Sequence, residues 1–238
     1  FVALGLSGFG GSGPLQPQLQ SLPAAPTELA IRQLGERFLI SWNASTSNED
    51  GSPLSAPLGF LLYRLVEPAD RVCPECRDPQ QPWHTLSPDK GENGHWQLWD
   101  TAVDPGFSYR YRVVPLLPNG VMGRSALIRR SYQTPPKAPH SGEATALDRL
   151  VRLRWQDDAP LPPTSTLLGY RLYRGENSAP VALQPKNSVL LSEPVYDDYG
   201  PLNGTPYRYG LRSVIVSAGE VVESRLSPLI EATPQAGE

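Results

Sequence analysis

Two stretches of the chain alternate apolar and polar residues and end in tryptophan. In the first, Phe38 and Ile40 lead to Trp42 at every second position, and in the second the run VRLRW ends at Trp155. Successive side chains of a β-strand point to opposite faces, so a period of two places the apolar residues on one side. Each run therefore predicts a half-buried antiparallel strand.

The same order of motifs follows both tryptophans. Gly59 opens the run GFLLYR and Gly169 opens GYRLYR, while Tyr109 begins YRYR and Tyr207 begins YRYG. Repeated landmarks in one order indicate two domains of similar fold. The tryptophans are 113 residues apart but the tyrosines only 98, so the first copy carries an insertion, which lies around residues 67–94.

These landmarks resemble fibronectin type III domains: a tryptophan closing the second strand, a Gly-aromatic third strand, and a later Tyr-x-Tyr motif. The resemblance implies an all-β fold of two tandem immunoglobulin-like β-sandwiches, whose core markers are Trp42, Tyr109, Trp155 and Tyr207. It also implies that Tyr109 and Tyr207 form tyrosine corners, each bonding the backbone just upstream. Such sandwiches serve mostly as spacers or recognition modules.

The repeat divides the chain into four parts. Residues 1–23 are an extended, apolar and Gly/Pro-rich segment or tether, 24–134 the first domain with its insertion, 135–140 a proline-rich linker, and 141–233 the second domain. Because proline restricts the backbone, we expect the linker to hold the domains as a semi-rigid tandem.

The N-terminal run FVALGLSGF is a candidate for export or assembly. With the Gly/Pro tether and the Cys-Pro-Glu-Cys-Arg run, it resembles bacterial cell-envelope lipoproteins with fibronectin type III domains, although Phe9 stands where they carry the lipid-modified cysteine. The resemblance implies an exported protein of the periplasm, outer surface or extracellular space, and leaves a membrane tether open. Alternatively, the apolar residues form a strand donated to a neighbouring copy. The interaction residues would then be Phe1, Val2, Leu4 and Leu6.

Cys73 and Cys76 give the insertion its most distinctive motif. In an oxidising compartment, cysteines three residues apart favour a structural disulfide. A second interpretation is a zinc site, in which His84 and His95 add two imidazoles to the two thiolates. A redox pair is the third. We expect the disulfide, and predict no metal and no cofactor.

Composition excludes several functions. The net charge is -3 and the pI about 5.7, which leaves no basic surface for nucleic acid. No apolar run reaches the roughly 18 residues of a transmembrane helix, and no catalytic motif is present, so we predict a protein that is not an enzyme. Arg110 and Arg112 alternate with tyrosines and predict a solvated sheet face.

The remaining aromatic residues suggest where a partner binds. We expect Trp96 and Trp99 in the core and Trp83 exposed as an interaction residue. The sequence thus predicts a non-catalytic scaffold or adhesion-type module that docks to a protein partner or to its own copies at the cell surface. Two alternatives stay open: a subunit of an extracellular filament or surface layer assembled through the N-terminal segment, and a carbohydrate-binding accessory module.

Overall fold

A computed structural model describes residues 21–237, which are almost entirely strands and their connections. Within this range the helical content is a single 3₁₀ turn at Pro88–Lys90, and no helix of the described residues is long and apolar enough to cross a membrane. The proposed donor residues Phe1, Val2, Leu4 and Leu6 lie outside the described range. In chain order the strands are β1 (Thr27–Leu34), β2 (Arg37–Asn43), β3 (Gly59–Pro68), β4 (His84–Leu86), β5 (His95–Asp100), β6 (Phe107–Leu116), β7 (Ala126–Ser131), β8 (His140–Leu147), β9 (Leu150–Gln156), β10 (Ser165–Glu176), β11 (Val195–Tyr199), β12 (Tyr207–Ser217), β13 (Glu220–Glu223) and β14 (Ile230–Ala232).

The first seven strands build one sandwich. One layer is β1, β2 and β5, and the facing layer has the order β4-β3-β6-β7. Alternation along β2 turns Phe38, Ile40 and Trp42 inward, where all three are fully buried. Trp42 stacks on Trp96 with ring centroids 6.1 Å apart, and Phe60 packs edge-on against both.

The last seven strands repeat this arrangement. β8, β9 and β11 form one layer, and β10, β12 and the two short strands β13 and β14 form the other. Trp155 and Tyr170 meet edge-on in the core at 5.3 Å. The predicted fold class, all-β with two tandem immunoglobulin-like sandwiches, is confirmed.

Both sandwiches contain the tyrosine corner that the resemblance implies. The backbone N–H of Asp104 donates to the hydroxyl of Tyr109 at 2.7 Å, and the N–H of Leu202 donates to that of Tyr207 at 2.9 Å. All four core markers, Trp42, Tyr109, Trp155 and Tyr207, are buried.

Each sandwich contains a buried aspartate that binds one tyrosine hydroxyl and one arginine. Asp100 accepts the hydroxyl of Tyr111 at 2.6 Å and pairs with Arg64 at 2.7 Å. Asp198 accepts the hydroxyl of Tyr209 at 3.0 Å and pairs with Arg174 at 2.9 Å. Because a buried carboxylate needs both a cation and hydrogen bonds, the Tyr-x-Tyr motif carries polar as well as apolar packing.

The two sandwiches share one sheet. β1 of the first lies parallel to β13 of the second, with Gln33 opposite Val222 and Leu34 opposite Glu223. The result is a continuous seven-stranded sheet: six strands run from β10 through β12, β13, β1 and β2 to β5, and β14 pairs with β12 as the seventh. Strand pairing, and not the linker alone, therefore joins the two copies.

The β1–β2 turn touches the second sandwich directly. Gly35 has a φ of +63°, and its N–H donates to the carbonyl of Glu223 at 2.8 Å. A Cβ at this position would lie 2.8 Å from Cγ of Arg225, so both the conformation and the space favour glycine.

The connection between β7 and β8 is also tied down. Gln33 is almost completely buried; its amide donates to the carbonyl of Gln133 at 2.6 Å and accepts the N–H of Gln133 at 3.2 Å. The side chain of Gln133 in turn accepts the hydroxyl of Ser217 at 3.1 Å. Gln133, which follows β7, thus hydrogen-bonds to both sandwiches, through Gln33 of the first and Ser217 of the second.

Candidate docking surface

The insertion after β3 is closed by a disulfide. Cys73 and Cys76 are bonded, with Cα atoms 5.4 Å apart, which confirms the predicted bridge. We call residues 69–82, between β3 and Trp83, the disulfide loop. Its central residues Pro74, Glu75, Cys76 and Arg77 are exposed.

Arg110 of β6 anchors the disulfide loop from below. Its guanidinium donates to the carbonyls of Pro74, at 3.3 Å, and of Cys76. Asp78 pairs with Arg110 at 3.1 Å and with Arg112 at 2.5 Å. Arg110 is only 5 % exposed, so the solvated face expected from the alternating pattern is wrong at this residue: the loop covers it.

Glu67 provides a second anchor at the end of β3. Its carboxylate accepts the N–H of Cys73 at 2.9 Å and the guanidinium of Arg129. Burial opposes the charged form, but these two donors prevail and hold the pKa of Glu67 below its ordinary value. The start of the loop is therefore fixed by a charged hydrogen bond to its backbone.

Trp83 directly follows the disulfide loop and is half-buried. Its ring packs against Tyr111, with centroids 5.9 Å apart, and the guanidinium of Arg64 lies 5.2 Å from its centre. Arg64 also lies over Tyr109. The indole thus belongs partly to the edge of the first core, and its role as a binding residue stays a prediction.

The residues of the alternative zinc site are not brought together. Among the described residues, the only acidic or histidine side chain that joins the two sulfurs in a potential metal cluster is Glu67, and the sulfurs are bonded to each other. His84 lies in β4 and His95 in β5, in different layers of the sandwich. His95 instead hydrogen-bonds to Asn43 at 2.8 Å.

The other two tryptophans of this region face opposite ways. Trp96 is buried in the core, whereas Trp99 lies half-buried on the outer surface with the guanidinium of Arg37 4.5 Å above its ring. Positions three apart on a strand point to different faces, which was the signal available in the sequence. The expectation that Trp99 is a core residue was therefore wrong.

The disulfide loop combines exposed charged side chains with a fixed backbone. The disulfide loop presents an exposed glutamate and an exposed arginine on a backbone held by Arg110, Asp78 and Glu67. A loop already fixed in one conformation loses little entropy when a partner binds it. Its geometry therefore suits protein docking.

No protein-family model and no curated protein matches the chain. Among solved structures it is similar to the crystal structure of the FN1–FN3 domains of chicken CNTN1, with a TM-score of 0.38 and 16 % identity over 90 % of this chain and 69 % of that one. Strand order and register define the fold of both sandwiches.

Proposed function

We propose that this chain is an exported, non-catalytic scaffold that docks a protein partner through the disulfide loop of its first sandwich. The observation that carries the proposal is the continuous seven-stranded sheet, because it fixes the loop relative to the second sandwich. A disulfide is consistent with an oxidising compartment, which supports export.

A fixed tandem suits a scaffold better than two loosely tethered modules. Interfaces between domains of one chain are usually small and permit relative motion. Here backbone hydrogen bonds, the hydrogen bond of Ser217 to Gln133 and the ion pair of Arg225 with Glu36 all cross the junction. The second sandwich then acts as a rigid base that holds the loop at a set distance and angle.

Site-specific photo-crosslinking tests the proposal. We would introduce p-benzoylphenylalanine in place of Glu75, at the tip of the loop, and irradiate the cells that make the protein. The matched control replaces Glu231, an exposed residue of β14 on the second sandwich. We expect a discrete heavier adduct from position 75 alone, and mass spectrometry then distinguishes another protein from a second copy of this chain.

Two outcomes would count against docking through this loop. One is the absence of any adduct at position 75, and the other is the same pattern of adducts from positions 75 and 231. An adduct made only of copies of this chain would retain docking but assign it to self-association.

A further inference from the structure

A groove with a volume of about 430 Å³ lies where the two sandwiches meet. The first sandwich contributes Arg37 and Trp99 from its outer face, and the second contributes Leu183, Arg212 and Leu226. This volume is in the range of small-ligand and side-chain pockets. The groove exists only because the shared sheet holds both walls in place.

The charges that line the groove do not balance. Arg225 pairs with Glu36 at 2.5 Å, which neutralises one of the three lining arginines. In the part of the chain that the structure describes, neither Arg37 nor Arg212 has a carboxylate within salt-bridge distance. On a chain with a net charge of -3, this leaves a local surplus of positive charge.

Arg212 is the more unusual of the two because it is only 7 % exposed. Its guanidinium lies 5.4 Å from the centre of the Tyr173 ring, and Nη1 donates to the carbonyl of Ser224 at 2.6 Å. Its Nε has no hydrogen-bond partner among the described residues. Burial lowers the pKa of this arginine despite the opposing attraction of Tyr173 and Glu223, so its charged form is disfavoured in the folded chain.

Glu223, a carboxylate that attracts Arg212 electrostatically, is already engaged by other side chains. Glu223 accepts from Arg32 at 2.8 Å and from Arg171 at 2.5 Å, and also accepts the hydroxyl of Tyr173. A buried cation without an anion is unfavourable, and an anion from outside the chain would relieve it. Apart from the mutually paired Arg225 and Glu36, the other walls of the groove are aliphatic or aromatic, so the anion should be attached to an apolar group.

We propose that the groove binds an acidic peptide segment of the docked protein, with a carboxylate on Arg212 and Arg37 and an adjacent aliphatic side chain against Trp99, Leu183 and Leu226. This inference rests on the proposed docking function and names the chemistry of the partner. Charge complementarity with two unpaired guanidinium groups selects the carboxylate, and the apolar walls select its neighbour.

Fluorescence anisotropy with labelled peptides tests the groove. The probe is a capped peptide of alternating leucine and glutamate, and its partner for comparison has glutamine in place of every glutamate. We expect the acidic peptide to bind, the amide peptide to bind at least about tenfold more weakly, and added salt to weaken only the acidic one.

Three variants locate the binding site. Arg37→Gln changes an exposed side chain and should leave the fold intact, whereas Arg212→Gln removes the buried guanidinium. Each should weaken the acidic peptide by about tenfold or more. The control is Arg154→Gln, an exposed arginine of β9 away from the groove, and it should bind like the unmodified chain.

Three results would overturn the inference: no binding of the acidic peptide, equal binding of both peptides, or binding that Arg37→Gln leaves unchanged. Octanoate is the competitor that separates a free anion from a peptide, and displacement of the peptide at equal concentration would assign the groove to small carboxylates instead. If the unmodified chain forms the adduct at position 75 but does not bind the acidic peptide, docking stands and the groove proposal falls.

Discussion

In each sandwich, the outer face of the layer with more strands carries arginine beside tyrosine. In the first sandwich this layer contains β3 and β6, in the second it contains β10 and β12, and the two faces are covered by different parts of the chain. In the first, Arg112 lies over Tyr63 and receives its carboxylate from Asp78 of the disulfide loop. In the second, Arg171 and Tyr173 share Glu223 of their own sheet with an arginine that comes from the other sandwich.

The difference shows how one sheet face can serve two purposes. Arginine and tyrosine side chains pack well on each other, but once covered they need a carboxylate to balance the charge. The first copy takes its cover from its own insertion, and the second takes it from its neighbour. The insertion therefore covers the arginine and tyrosine side chains of the first domain, and the interdomain contact covers those of the second.

The largest effect is expected when the carboxylate of the second face, Glu223, is removed. Glu223→Gln leaves Arg32 and Arg171 without a balancing charge. Their side chains are about a quarter exposed, so we expect a loss of about 3 kcal/mol instead of the full cost for a sealed site. Urea denaturation followed by tryptophan fluorescence measures the change. The exposed control Glu231→Gln should shift stability by less than about 0.5 kcal/mol.

The same variant tests whether the sandwiches unfold together. With the junction intact we expect one calorimetric transition, and Glu223→Gln should divide it into two because the sandwiches then melt separately. Two transitions already present in the unmodified chain would mean that the shared sheet does not couple them.

The next largest effect comes from the carboxylate of the first face. Asp78→Asn leaves the buried, charged Arg110 without a salt-bridge partner, and we expect the first sandwich to lose about 2 kcal/mol. Asp89→Asn changes an exposed aspartate of the same insertion and is the control. A loss in the second sandwich instead of the first would contradict the comparison.

Opening the disulfide should have a smaller effect. The bridge spans three positions, so its entropic contribution is at most about 2 kcal/mol, and we expect Cys76→Ser to cost about 1 kcal/mol in the first sandwich. Reductant should bring the unmodified chain to the same stability and leave the variant unchanged. Because Arg110, Asp78 and Glu67 still hold the loop, a cost above that of Asp78→Asn would show that the bridge dominates.

The smallest effect depends on pH and on Glu67. Its pKa is lower in the folded chain than the ordinary value of 4.5, so its contribution is complete above that value and is lost as the pH falls through the folded pKa. Urea midpoints of the first sandwich at about pH 6 and about pH 3.5 should differ less in Glu67→Gln than in the unmodified chain. Glu75→Gln, an exposed change in the same loop, should retain the full difference.

Much of the fold was predictable because its signals are local and repeated. Alternation in β2 and β9 and the matching Tyr-x-Tyr motifs were sufficient for two sandwiches, and the unequal spacing of Trp42, Trp155, Tyr109 and Tyr207 located the insertion. The disulfide followed from the spacing of its cysteines.

The contacts between regions were not predictable. Arg32 and Glu223 are 191 positions apart, and no local pattern indicates that β1 lies beside β13. Arg110 alternates with buried tyrosines as a solvent-facing residue would. The loop that covers it does not change the residue pattern of β6, so its burial could not be predicted. Sequence periodicity reports which face a residue occupies, but not what lies over that face.

The parallel pairing of β1 with β13 also bears on how the chain misassembles. If one sandwich opens, the other is left with a bare strand whose unsatisfied N–H and C=O groups can recruit the matching strand of another molecule. Such an exchange would rebuild the native contact between two chains and yield swapped oligomers. Heating or mild denaturant at high protein concentration should therefore favour aggregation seeded at this seam.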